Sequence, residues 1–232
     1  MKLALFIAVL AAPVAAQDVG QPKGCTAFLT VHTRSCSVDH YFRCPTDNKG
    51  DVHRTEYSEN GMTYMGTTDV EAQWITSHHI AGEFTEVLEH NPAKPASFSD
   101  LLATSVNEYD FVTMSQENGP TNYIGRDTLT GKQVMIDGVT LNETTYEVTS
   151  YDDEGSMIFA SKGREFISRD WRIFFGGQGT VKTPERSFKT DNTPVEFIHP
   201  DETGFLSKKP KYGCDTLMSL APEMQEYSHD NL

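Results

Sequence analysis

The chain has 232 residues, with 33 acidic against 19 basic side chains and a formal net charge of −14. That balance argues against a nucleic-acid partner, because neutralising phosphates takes clustered Lys and Arg. It argues equally against adsorption to an anionic membrane surface.

The first residues, MKLALFIAVLAAPVAAQ, carry one charge, Lys2, before an apolar run that ends in small residues at Val14-Ala15-Ala16. This pattern predicts a secretory signal peptide over residues 1–16. The run is short for the roughly 20 residues of a spanning helix, and no later stretch is apolar enough to span. Residues 17–232 then form one exported domain, a normal size for an all-β barrel or sandwich. Outside the cytosol, in the periplasm or beyond the cell, the four cysteines most simply make two disulfides.

The stretch CTAFLTVHTRSCSVDHYFRC, residues 25–44, holds three of them. The intervals of ten and seven residues do not fit zinc ligands, and no C-x-x-C redox pair is present. Folded as a hairpin about Arg34-Ser35, it places Cys25, Ala27, Leu29 and Val31 on one face, opposite Cys44, Phe42, His40 and Val38. All three cysteines share that apolar face. Cys25 and Cys44 are directly opposed and suited to bridging, which leaves Cys36 for Cys214. Arg-Ser is a poor two-residue turn, and the other two pairings stay open.

HRTEYSENGMTYMGT follows, with Asn60-Gly61 as its turn and Tyr57 opposite Tyr64. Asn91-Pro92-Ala93-Lys94-Pro95 is a connector, and Ser97-Phe98-Ser99-Asp100 opens a short helix with a capping-box pattern. A turn at Asn118-Gly119 would set Thr113 against Ile124 and Met114 against Tyr123. In KQVMIDGVTLNE, the Asp137-Gly138 turn pairs Ile136 with Val139 and Val134 with Leu141, so turn chemistry and apolar pattern agree. Asn142 lies in a glycosylation-type sequon. A further hairpin bends at Asp153-Glu154-Gly155, and GREFISRDWRIFFGGQGTV reads as two more strands. The tail 216–232 is expected to be partly helical or frayed.

Ten to twelve short strands joined by hairpins, with one helix, predict an all-β antiparallel meander. It would form an up-and-down barrel or an open, curved half-barrel, with a two-sheet β-sandwich as the alternative. At the level of fold alone this resembles periplasmic lipid-carrier half-barrels and lipocalin-type barrels, without any shared motif.

Chemical motifs are scarce. There is no Gly-x-Ser-x-Gly elbow and no H-E-x-x-H. FFGGQGT lacks the Lys-Ser/Thr of a phosphate loop. His78-His79 would point to opposite faces of a strand and not chelate one ion. Asp152-Asp153-Glu154 sits at a hairpin tip. No cofactor or metal is implied. The candidate ligand-contacting residues are His40, a polar group on an apolar face, and the aromatics Tyr57, Tyr64 and Trp171. Phe42, Tyr146, Phe166 and Phe174 are further aromatics for a cavity or a filled core. Three functions remain in view. One is uptake of a hydrophobic or amphipathic small molecule in the barrel, and one is protein interaction through a solid-cored module. The third is extracellular hydrolysis by a carboxylate pair that cannot be picked out among 33 acidic residues.

Overall fold

The computed structural model describes residues 20–214, so the expected leader and tail lie outside the described residues. Period-two alternation carries the chain through six strands: β1 (Thr26–Thr33), β2 (Val38–Arg43), β3 (Val52–Ser58), β4 (Gly61–Thr68), β5 (Trp74–His79) and β6 (Phe84–Leu88). Helix α1 (Phe98–Thr104) comes next. Ser97 caps it, its hydroxyl accepting from the Asp100 amide, as the capping pattern predicts. Strands β7 (Val106–Ser115), β8 (Gly119–Ile136), β9 (Val139–Tyr151) and β10 (Met157–Ser168) are the long ones. β11 (Ile173–Phe175), β12 (Gln178–Lys182), β13 (Ser187–Asp191) and β14 (Pro194–Ile198) complete the chain.

All these strands belong to one antiparallel sheet, in the order β13-β12-β10-β9-β8-β7-β6-β5-β4-β3-β2-β1-β14, with β11 flanking β10. Its two outermost strands, β13 and β14, are consecutive in the chain. Only Asn192 and Thr193 separate them, so the sheet must curl until its ends meet at that corner. The Arg34 amide donates to the Thr193 carbonyl (3.0 Å) and the Asn192 amide to the Gly177 carbonyl (2.9 Å), pinning the corner. β13 and β14 share no ladder, so the curl stays open along that line. The meander is as expected, and a two-sheet sandwich is excluded by the single continuous sheet.

The hairpins show how register follows turn chemistry. The Asp137-Gly138 turn pairs Ile136 with Val139 and Val134 with Leu141, as read from the sequence. Gly155, at φ 80°, closes the Asp153-Glu154-Gly155 loop. The other three differ. Ser58 pairs with Gly61 and Tyr57 with Met62, so the turn is Glu59-Asn60. A register shift then puts Tyr64 opposite Glu56 instead of Tyr57. Ser115 pairs with Gly119 and Phe111 with Tyr123, which sends Met114 and Ile124 to the outside. In both cases the glycine supplies positive φ at the residue that closes the loop, not within a two-residue turn.

In the first hairpin the Thr33 amide donates to the Ser37 carbonyl, and Cys36 takes the left-handed conformation at φ 58°. The loop is therefore one residue longer than the Arg34-Ser35 turn. Thr30 pairs with His40, not Leu29. An irregularity between Ala27 and Leu29 restores the expected pairing of Ala27 with Phe42. The two deviations compensate. Cys25 and Cys44 are bridged, and so are Cys36 and Cys214, 178 residues apart.

Inside the curl, Leu29, Val31, Tyr41 and Val52 pack with Leu141, Ile173, Phe175 and Phe197. A second, aromatic cluster holds Tyr109, Phe111, Tyr123 and Tyr146 with Val148, Phe159 and Val181. Phe98 and Leu101 of α1 close over Ile167. Outside, Phe205 and Leu206 cover Cys25, Ala27 and Phe42. Among the described residues, no helix is long and apolar enough to cross a membrane.

Candidate functional site

The two interior clusters do not fill the curl. A cavity of about 130 Å³ remains between them, walled by residues from β2 to β10 and covered on one side by α1 and Phe174. Its size is close to the roughly 150 Å³ of an apolar cavity that admits benzene. It is small beside the roughly 300–1,000 Å³ that holds a drug-sized ligand.

Three tyrosines shape the wall by lying over glycines. Tyr109 is directly opposite Gly125, where a Cβ would collide with its ring. A Cβ on Gly66 would meet Tyr64 in the same way, and one on Gly179 would meet the Tyr146 hydroxyl. The missing Cβ atoms let the rings lie flat against the sheet, leaving the space in front of them open. Trp74 stands edge-on to Phe111 (5.4 Å) and Tyr123 (5.2 Å), giving an aromatic corner.

The same wall carries several ionisable groups. Arg54 of β3 faces Asp39 at 4.0 Å and Glu56 at 3.8 Å, and lies over the Tyr64 ring at 4.5 Å. Burial works against its charge, but the two carboxylates outweigh that and raise its pKa. His79 Nε2 is 3.1 Å from Glu86 Oε2, with the His79 ring stacked on Phe84. Glu86 Oε1 also accepts from Thr113 (2.6 Å) and Tyr123 (3.0 Å). Burial alone would push Glu86 up; the bonds from His79, Thr113 and Tyr123 hold it below its ordinary value.

At the covered side, Glu71 pairs with Arg172 at 3.0 Å and accepts from the Ser99 amide at 2.8 Å. Arg172 Nε donates to the Val70 carbonyl, and its guanidinium lies over Phe98. This clasp fastens the start of α1 over the cavity.

Two further carboxyls face the cavity, Asp127 of β8 and Glu165 of β10, only 7% and 5% exposed. Asp127 is hydrogen-bonded by Asn107, its opposite on β7. Burial pushes its pKa up to about 7. Glu165 accepts from Thr144 at 3.4 Å, a long bond. Burial, and then the charge of Asp127, push it well above the usual carboxylate range. Tyr146 of β9 lies between their strands, and burial raises it to about 12.

Comparison with known proteins finds no matching family model, no matching curated protein and no matching solved structure. The functional reading therefore rests on this geometry.

Of the candidate residues read from the sequence, Tyr64 lines the cavity, with its hydroxyl bonded to Ser77 at 2.9 Å. Tyr146 and Phe174 line it too. His40 and Tyr57 lie on the outer face of the sheet, 5.5 Å apart between ring centroids. Lys208 and Leu206 cover them there: Lys208 Nζ sits over the Tyr57 ring, and the Leu206 amide donates to Thr30 beside His40. Trp171 packs on Phe175, Phe197 and His199, away from the cavity wall. Phe42 and Phe166 also sit elsewhere. Cys25, Cys44, Cys36 and Cys214 are structural. Both metal-like groupings among the described residues, Cys36-Glu59-Cys214 and Cys44-Asp47-His53, use bridged sulfurs that cannot ligate an ion.

Asp127, Glu165, Glu86 and Arg54 were not singled out by the sequence, and His79 was noticed only as half of a histidine pair whose members face opposite ways; it lines the cavity. A signal was available for the two unpaired carboxyls. Asp127 falls in the same alternation phase as Tyr123 and Leu129, and Glu165 in the phase of Ile167. A charged residue in the inward phase of a strand marks a special position.

A second depression of about 1470 Å³ runs along the outside near Arg34, Lys162, Arg164 and Lys189. It is open to solvent, and its charges largely answer each other. Arg164 pairs with Glu143 (3.6 Å), Arg126 with Glu108 (3.9 Å), and Glu147 stands in register between Arg126 and Lys162.

Proposed function

We propose that this is an exported binding protein that holds a small amphipathic molecule in the interior of its curved sheet. One observation carries the reading: a cavity inside the curl lined both by an aromatic corner of Trp74, Phe111 and Tyr123 and by the buried ionisable groups His79, Glu86, Asp127 and Glu165. Aromatic walls with a few convergent polar groups are the usual composition of a small-molecule site. Buried groups with perturbed pKa values cluster at such sites. The polar share of the wall favours an amphipathic ligand over a purely hydrophobic one, since buried polar groups need partners. Two disulfides and the leader-like first residues support a route out of the cytosol.

The test is native mass spectrometry and solvent extraction of protein purified from an oxidising compartment. The expected result is a small molecule in near-stoichiometric amount, lost in the cavity-filling variant Val148→Phe. Protein that carries nothing, and takes up nothing from a panel of one-ring amphipathic compounds, overturns the reading.

A second reading, an extracellular hydrolase, draws on the paired carboxyls Asp127 and Glu165. Turnover of chromogenic glycosides that disappears in both Asp127→Asn and Glu165→Gln would favour it over simple binding.

A further inference from the structure

The ionisable groups around the cavity do not balance. Arg54 is matched by Asp39 and Glu56, Arg172 by Glu71, and His79 by Glu86. Each of the two arginines thus has its own carboxylate, and Glu86 is already hydrogen-bonded to His79. Asp127 and Glu165 are left over. Asn107 and Thr144 give them neutral hydrogen bonds, and among the described residues no cation forms an ion pair with either.

The two carboxyls are nevertheless placed together on the cavity wall. Asp127 is in register with Asn107 on one side and Tyr146 on the other, while Glu165 is in register with Thr144, two residues from Tyr146 on the same face. Their strands flank β9, so the backbones are two ladder spacings apart, about 9–10 Å. Tyr109, Phe111 and Tyr146 line the same cavity, offering ring faces that attract a cation. Two acidic groups without a cation, buried beside aromatic rings and next to empty volume, are the complement of a positively charged nitrogen on a small apolar body.

We propose that the ligand is a small organic ammonium ion, its nitrogen held by Asp127 and Glu165 and its apolar part against the rings of Tyr109, Phe111 and Trp74. This rests on the binding-protein reading of the same cavity. Burial favours the protonated acids in the empty site, and Tyr109 and Tyr146, the titratable groups facing them from β7 and β9, stay neutral. An arriving ammonium stabilises the carboxylate form. A carboxyl O–H bond therefore breaks, its proton passes to solvent, and the ligand keeps its own. Binding is coupled to proton release.

The experiment is calorimetric titration of the full chain at pH 6.5 with three probes of one shape: benzylamine, benzyl alcohol and benzoate. It is repeated in buffers of different ionisation heat. The expected result is at least tenfold tighter binding of benzylamine than of benzyl alcohol, no binding of benzoate, and release of a substantial fraction of a proton per benzylamine. Asp127→Asn and Glu165→Gln should each weaken benzylamine at least tenfold, affect benzyl alcohol much less and keep a cooperative thermal transition. The conservative Asp127→Glu variant should retain part of the preference. Equal binding of amine and alcohol, or undiminished amine binding in the Asp127→Asn/Glu165→Gln double variant, overturns the inference while leaving the cavity reading standing. Failure of all three probes, with nothing recovered by extraction, overturns both.

Discussion

Two regions of this protein bury ionisable groups without a charged partner, and they have opposite surroundings. Inside the curl, Asp127 and Glu165 border open volume. On the outer face, His32 and His40 lie beneath the segment that runs from His199 to Cys214, and both are fully buried. Both ring nitrogens of His32 and Nε2 of His40 lack a hydrogen-bond partner among the described residues, while Thr30 Oγ1 serves His40 Nδ1 at 3.0 Å. Burial, helped by nearby Lys211 for His32 and by His32 and Lys208 for His40, lowers both histidines to about 4. Desolvation neutralises acids and bases alike. What differs is the remedy. A ligand can reach the carboxyls, whereas packed protein covers the histidines, so only the inner region is suited to binding.

The largest effect is expected at the segment that covers the histidines. The Cys36–Cys214 bridge closes a loop with a sequence separation of 178. Replacing both cysteines by serine should cost about 5 kcal/mol on the chain-entropy model. Thermal melts should shift accordingly, and hydrogen exchange should rise first around Thr30, His32 and His40. Unchanged protection there would mean that the segment is held without its staple.

The next effects are on pH dependence, and the two regions should pull in opposite directions. Asp127 is raised from 3.8 to about 7, so its contribution is complete below pH 3.8 and lost as pH climbs through 7. Asp127→Asn should therefore stabilise the empty protein by on the order of 2–4 kcal/mol at pH 8 and hardly at pH 4. The histidines are lowered from 6.5 to about 4, so their neutral form supports the fold fully above pH 6.5, and that support is lost as pH falls toward 4. His32→Leu should remove on the order of 2–3 kcal/mol of acid sensitivity, read as a flatter denaturation midpoint between pH 6.5 and 4. If both variants moved stability in the same pH range and direction, the contrast would be wrong.

The smallest effect sharpens the inner region alone. Gly125→Ala should cost roughly 1–3 kcal/mol, because its methyl displaces the Tyr109 ring from the wall. Benzylamine affinity should fall with it, whereas Gly131→Ala, which strains the backbone at φ 80° but meets nothing within 4 Å, should lower stability without lowering benzylamine affinity.

Much of the scaffold was legible in the residues. The Asp137-Gly138 hairpin, the Asp153-Glu154-Gly155 loop and the Ser97 cap follow from turn chemistry and alternation, which are local. The two disulfide pairs were favoured by alternation but not fixed by it, and they survive only because two deviations in the first hairpin compensate. Register was less legible, and it decided the site. A one-residue change of pairing moves a strand's side chains to the other face. That is why His40 sits outside with Thr30 instead of inside with Leu29, and why Tyr64 reaches the cavity while Tyr57 does not. The loops responsible carry positive φ at Cys36 and Gly61, positions that composition alone does not distinguish from a tight two-residue turn.

The sequence by itself determined an antiparallel meander, its helix, and a cysteine pattern that ties the first hairpin to the far end of the chain. Those depend on periodicity and on the conformations that Gly, Asn and Asp accept. Only the tertiary structure decided that Asp127 and Glu165 share a wall without a cation, while Arg54 and Arg172 are each answered by carboxylates. The phase of a strand says that a carboxyl points inward. Whether it meets a partner there is a property of strands far apart in the chain, set by how the sheet curls and where its bulges fall.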